Sequence, residues 1–386
     1  MTQIGCLFAA GEASRTDETN NQVNGRIGRM SVSSSLRLDH YRLLGRSGLR
    51  VSPLCLGTMT FGTDWGWGAD EETSRAIFDA YASRGGNFID TANFYTRGTS
   101  ERLVGRFIAA ERDRFVLATK YTLNMNPGDP NAGGNHRKCM VRAVEASLGR
   151  LGTDYIDLYW LHVWDDTTPV DEVMRGLDDL AAAGKILYVA VSDTPAWRIA
   201  QANTLAELRG WSRFVALQVE YNLALRDAER DLIPMAMELG LGVLPWSPLA
   251  SGLLSGKYSR ADLEKQRQRE KAESVDGSRP MTLTETRIEI AETVKAVAAD
   301  IGRTPAQVAL AWLLTRPDVA SPILGARTLA QIEDNLGALD VVLGAEELQR
   351  LEAASAITLG FPHDFIASDM VRGIVTGGTT IEPRRA

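Results

Sequence analysis

Four residues of this 386-residue chain carry groups suited to proton transfer: Asp90, Tyr95, Lys120 and His162. A carboxylate, a phenol, an amine and an imidazole stand at or just past the ends of successive short apolar runs. Each alone is ordinary: an Asp and a Lys make a structural ion pair, and a lone histidine is more often a satisfied core residue. Together they form an acid–base set. A phenol titrates at about 10 and is a sluggish acid, but its value falls beside a cation. A lysine against the phenol supplies that field, and a buried aspartate holds the ammonium charged. Such a phenol can protonate a carbonyl oxygen as negative charge develops there, while the imidazole orients the carbonyl. No side chain supplies a hydride, so reduction at that carbonyl requires a cofactor. A second chemistry stays open, a lyase or aldolase in which Lys120 forms a Schiff base.

The elements that must position these groups repeat as strand then helix. Apolar runs over 53–57, 87–90, 115–120, 155–162, 187–192, 214–218, 242–246 and 322–325 read as eight strands alternating with amphipathic stretches. Alternation of this kind implies parallel pairing, because each crossover helix returns the chain to the same edge. Ahead of them, 41–44 and 49–52 flank Gly45-Arg-Ser-Gly48 as a hairpin. Thr168 is expected to cap a helix beginning at Pro169, and Gly184 to stop it. Thr304 with Gln307 reads as a capping box before Val308, Ala311 and Trp312. The fold class is therefore α/β, a (β/α)8 TIM barrel with an N-terminal β-hairpin at its base. A doubly wound sheet is the alternative. In such barrels the strands' carboxyl ends carry the site, and here those ends are polar: Thr58, Asp90, Lys120, His162, Ser192-Asp193, Gln218, Trp246-Ser247 and Gly325-Ala-Arg327.

Composition narrows the function classes. With 44% hydrophobic and 24% charged residues, the chain can bury a large core. Its 42 Lys and Arg against 49 Asp and Glu leave a net charge of −7, which argues against nucleic acid or an anionic membrane as partner. No apolar run approaches the ~18 residues that span a bilayer. Cys6, Cys55 and Cys139 are few and far apart, so a reducing, cytoplasmic setting is expected. His40, His136, His162 and His363 are dispersed and no metal site is expected. No G-x-G-x-x-G follows a strand, and Gly252-Leu-Leu-Ser-Gly256 lacks the ending of a phosphate-binding P-loop. Residues 1–40 are polar and aperiodic, expected to be a mobile extension in which Met30 offers a second candidate start. Residues 41–360 form the expected barrel and 361–386 a tail whose start can line the substrate pocket.

At these residues the chain resembles the aldo-keto reductase superfamily. The matching segments are GNFIDTANFY over 86–95, ATK over 118–120, LGTDYIDLYWLH over 151–162 and PWSPLASGLLSGK over 245–257. The likeness covers about residues 41–360. Its details are similar to microbial aryl-alcohol dehydrogenase-like members, a branch also similar to potassium-channel β subunits. The resemblance implies reversible, NADPH-dependent reduction of aldehydes or ketones. Tyr95 is then the general acid/base, tuned by Lys120 and Asp90, with His162 orienting the substrate. It also implies a cofactor path along the rim. Trp246 would stack on the nicotinamide, with Ser192, Asp193 and Gln218 on its carboxamide. Ser247, Leu249, Gly252 and Lys257 would follow the pyrophosphate, and Gly325, Arg327, Gln331 and Asn335 the adenosine end. Thr58, ending the first barrel strand, joins these expected cofactor contacts. The family commonly has Ser-Asn where this chain has Ser192-Asp193, and an ionised aspartate cannot donate to the carboxamide oxygen. The competing class is an NADPH-binding redox-sensing subunit with little catalysis.

Trp65, Trp67, Met125, Trp164 and Phe361 are the expected walls of a substrate pocket suited to a bulky or aromatic carbonyl compound or alcohol. Arg327 opens a helix and offers a fork for a phosphate, which favours NADPH over NADH. The polar stretch 259–280 reads as a flap over the cofactor or a solvated insertion.

Overall fold

Parallel strands buried on both faces read as unbroken apolar runs, and every run singled out above forms one. The computed structural model describes residues 36–272 and 283–382. A hairpin of β1 (Arg42–Leu43) and β2 (Arg50–Val51) precedes the barrel strands. These are β3 (Cys55–Gly57), β4 (Phe88–Asp90), β5 (Val116–Tyr121), β6 (Ile156–Leu161), β7 (Ile186–Ser192), β8 (Phe214–Glu220), β9 (Gly242–Trp246) and β10 (Ile323–Leu324). They pair in parallel in the order β10-β3-β4-β5-β6-β7-β8-β9. The ring closes just ahead of β10: the Val243 N–H donates to Asp318 O at 3.2 Å, and the Ala320 N–H to Val243 O at 2.9 Å. A doubly wound sheet keeps two free edges, so this closure decides for the barrel.

Strand residues alternate in and out with period two. Cys55, Phe88, Val116, Ala118, Leu158, Trp160, Ala190, Ala216, Leu244 and Ile323 point together into the barrel core. Their outward neighbours, among them Leu56, Ile89, Leu117, Tyr159, Val191 and Leu217, pack in the larger cluster beneath the helices. The hairpin plugs the base, since Leu44 and Val51 are buried within the inner cluster. Gly45 makes this possible: at φ 54 it lies so close to the barrel floor that a Cβ would meet Val215 O at 2.3 Å.

Local punctuation mostly follows the expected chemistry. Thr304 and Gln307 form the capping box of helix Pro305–Leu314. Helix Val170–Ala182 starts one residue later than expected, with Pro169 at the cap. Thr168 is not the cap, because its hydroxyl donates to Asp165 Oδ2 at 2.8 Å. The stretch 259–280, read as a flap or a solvated insertion, begins with a helix, Arg260–Ala272; Ser259 donates to Asp262 Oδ2 at its start, and 273–282 lie outside the described residues. The extension expected over 1–40 also lies outside them up to residue 35, whereas Leu36 bonds to Leu339 O and Leu38 is buried. In the tail, helices His363–Ala367 and Asp369–Thr376 bury no residue.

Candidate active site

The inward register of the strands dictates what crowns the barrel. Two residues beyond the last apolar inward position come Asp90 after Phe88, Lys120 after Ala118, His162 after Trp160, Ser192 after Ala190, Gln218 after Ala216 and Trp246 after Leu244. Period two alone thus gathers side chains from six strand ends into one layer.

Lys120, fully buried, is the hub of that layer. Its Nζ contacts Asp90 Oδ2 and donates to Thr91 O at 2.9 Å and to Tyr95 Oη at 3.0 Å. Gln218 Nε2 donates to the other Asp90 oxygen, Oδ1, at 3.1 Å. The Tyr95 ring stands edge-on to His162 with centroids 6.0 Å apart. All four expected acid–base residues therefore meet. Burial works against the Lys120 charge, yet Asp90 and Tyr95 outweigh it and push the ammonium up to about 12. A lysine so firmly protonated is a poor Schiff-base nucleophile, and the lyase reading loses its reactive amine.

The phenol departs from expectation. Burial pushes Tyr95 above its ordinary value; Lys120 opposes this but does not win. Low dielectric penalises a phenolate more than one ammonium, itself neutralised by Asp90, can repay. The Tyr95 phenol is thus held protonated at rest rather than acidified. Burial first, and then the Lys120 charge, pushes His162 down to about 3, so its imidazole is neutral. Its Nδ1 is buried without a hydrogen-bond partner.

The expected cofactor contacts divide. Ser192 Oγ is buried and unpartnered, the state of a group awaiting a polar ligand. Asp193 is committed to Trp246, whose Nε1 donates to Asp193 Oδ1 at 3.0 Å. Gln218 has its amide turned to Asp90, and Thr58 donates to Asp90 O at 3.0 Å while its hydroxyl meets Ser100 Oγ at 2.8 Å. After β9, Ser247, Ala250, Ser251 and Gly252 all take positive φ, with Leu249 half-buried between them. The N–H groups of this turn bond within it: Ala250 donates to Ser247 O at 2.8 Å, Ser251 to Ser247 Oγ at 3.2 Å and Gly252 to Leu249 O at 2.9 Å. Lys257 is exposed, its Nζ 5.1 Å from the Tyr258 ring centroid. Gly325, Arg327 and Gln331 are exposed around the start of helix Leu329–Leu336, where Gln331 Oε1 accepts from the Arg327 N–H at 2.8 Å. Asn335 is buried further along that helix. The buried, unpartnered Ser192 hydroxyl fits a polar group of a ligand bound on the crown.

The expected pocket walls are only partly assembled. Trp65 packs on Trp67 at 5.5 Å and on Phe94 at 6.0 Å. Phe94, beside Tyr95, was missed in the sequence, although its adjacency to the phenol was a usable signal. Asn93, buried with Oδ1 unpartnered, was missed as well. Met125 lies half-buried in the loop after β5. Trp164 is buried under Arg198, whose guanidinium lies 5.4 Å from its ring centroid. Phe361 does not join them: it is 85% exposed and pairs with Phe365 in the tail.

A closed (β/α)8 barrel crowned by a Tyr–Lys–Asp cluster and a neutral histidine defines an oxidoreductase acting on carbonyl or alcohol groups. The chain belongs to the aldo/keto reductase family, whose model matches residues 53–356. It is 38% identical over 340 residues to the norsolorinic acid reductase of Aspergillus flavus, covering 85% of this chain and 84% of that one. Norsolorinic acid reductase stcV of Emericella nidulans is 40% identical over 341 residues, 85% of each chain. An aryl-alcohol dehydrogenase [NADP(+)] of Phanerodontia chrysosporium is 38% identical over 345 residues, 84% of this chain and 88% of that relative. Among the described residues, no three His, Cys, Asp or Glu are grouped to hold a metal ion, and no helix is long and apolar enough to cross a membrane.

Proposed function

We propose that this protein reduces aldehydes or ketones, reversibly, with NADP(H), and that Tyr95 delivers the proton. The observation carrying the reading is the Lys120 Nζ–Tyr95 Oη contact of 3.0 Å, with Lys120 anchored on Asp90. Bound reduced nicotinamide supplies the hydride. The chain's own residues do the rest. Tyr95 holds a proton where a carbonyl oxygen can reach it, and Lys120 stabilises the phenolate left as that proton departs. His162, neutral, offers a hydrogen bond without competing as an acid. Ser192 supports the carboxamide of the ring, Trp246 its face, and the exposed Lys257 the pyrophosphate. Arg327, exposed beside a helix start, supports an adenosine phosphate and hence NADPH over NADH.

Trp65, Trp67 and Phe94, the last adjacent to Tyr95 in the chain, form an aromatic cluster, which suits a bulky or aromatic carbonyl compound. Cys55 and Cys139, both buried free thiols, support a reducing, cytoplasmic location. The test is steady-state oxidation of NADPH against a panel of aromatic and aliphatic aldehydes, followed by absorbance of the reduced nicotinamide. Turnover with aromatic members is expected. Tight NADPH binding with no turnover on any member would favour the redox-sensing subunit instead.

A further inference from the structure

Asp193 is a carboxylate of the crown that no ammonium contacts among the described residues. Asp90, its counterpart, is bonded to Lys120. Asp193 instead accepts the Trp246 indole N–H at 3.0 Å and forms no ion pair among the described residues. Its backbone is pinned from two sides: the Trp164 N–H donates to Asp193 O, and the Asp193 N–H to Gln218 O, both at 3.4 Å. At φ 39 it occupies the left-handed region, which Asp and Asn tolerate better than most residues. Burial pushes its carboxyl up, while the indole hydrogen bond, the neighbouring Ser192 hydroxyl and Lys120 draw it back. The same carboxylate raises Tyr95 in turn, so its field reaches the reacting groups.

We propose that Asp193 is a positioning and charge-selecting residue of the cofactor site: it fixes the Trp246 indole, and its negative charge favours the oxidised, cationic nicotinamide over the reduced, neutral ring. The inference rests on the NADP(H) reading above. A ring that delivers hydride has to lie against the carbon whose oxygen meets Tyr95. A carboxylate bonded at 3.0 Å to the indole that faces this ring lies close enough to act on it as well. Reduction turns a cation into a neutral ring, so a fixed neighbouring charge discriminates between the two forms. An amide at this position keeps the acceptor for the indole and loses the discrimination.

Dissociation constants for NADP+ and NADPH are to be measured on purified full-length protein by quenching of tryptophan fluorescence at pH 8. In D193N the ratio Kd(NADP+)/Kd(NADPH) is expected to rise by about fivefold or more, the usual scale of a coupling between two bound charges. D193G accommodates the left-handed backbone without strain, so it serves if the amide variant does not fold. It should show the same rise and a weaker affinity for both nucleotides. W246F, which removes the N–H but keeps the carboxylate, should weaken both forms alike and leave the ratio within about twofold of wild type. An unchanged ratio in D193N, or an equal shift in W246F, overturns the proposal. Failure of the wild-type protein to bind either nucleotide would instead overturn the cofactor reading beneath it.

Discussion

The two ends of the barrel are built from the same strands and differ in almost every local choice. At the base, Leu44 and Val51 of the hairpin fill the ring, and the close approach there falls to Gly45. At the crown, among the described residues, stand all the non-glycine residues with positive φ: Thr96, Arg97, Thr122, Asp166, Asp193, Ser247, Ala250 and Ser251. Each follows the carboxyl end of a strand. The crown also holds a buried ion pair and the unpartnered polar atoms of Asn93, His162 and Ser192. Strain and unmet hydrogen bonds cost stability, so the base supplies what the crown gives up. One end is built for cohesion and the other for chemistry.

That division can be broken by experiment. The largest effect belongs to the crown: Tyr95→Phe should lower kcat by about a thousandfold, the contribution of a positioned general acid, and leave NADPH affinity nearly intact by fluorescence titration. Retained turnover would move the proton donor elsewhere. The matching change at the base, Leu44→Ala, should cost about 3 kcal/mol of stability by denaturant unfolding, with kcat of the folded protein unaltered. A fall in kcat without loss of stability would erase the distinction. Smaller still, Arg327→Ala should reduce the NADPH-over-NADH ratio of kcat/KM by about tenfold, the value of one charge-assisted pair.

The smallest expected effect is an absence. His162 is neutral above about 3, so it adds no inflection to kcat/KM between about pH 5 and 8, in contrast to a free imidazole near 6.5. Stability should respond instead. The unfolded chain takes up a proton at about 6.5 that the folded chain refuses until far lower pH, so stability falls as pH drops through that window. On the alkaline side, Tyr95 is raised above its ordinary value, and the loss of its acid form should begin only beyond about pH 10.

Much of this was legible in the sequence for a physical reason. Strands buried on both faces are apolar throughout, so their ends show as abrupt polar residues. A period of two then places Asp90, Lys120, His162, Ser192, Gln218 and Trp246 in one layer. What was not legible depends on distance through space. The acidity of Tyr95 is a contest between burial and the Lys120 charge, and residue types do not say which prevails. Gln218 turns to Asp90, and Asp193 takes the Trp246 indole, across strands that are not sequence neighbours. Phe361 looked like a pocket wall because it is aromatic and follows the barrel, yet it faces outward with the tail. Thr168 had the right chemistry for a cap and a better offer from Asp165.

The closure of the ring bears on how the molecule is made. Asp318 and Ala320 complete the seam with Val243, and β10 then lies against β3, so the first and last barrel strands are neighbours. During synthesis, every residue of the polar crown up to Trp246 leaves the ribosome before the stave that seals the cylinder exists. Any sheet formed during the some seventy residues that follow would hold its reactive layer between two bare edges, the state most exposed to mispairing.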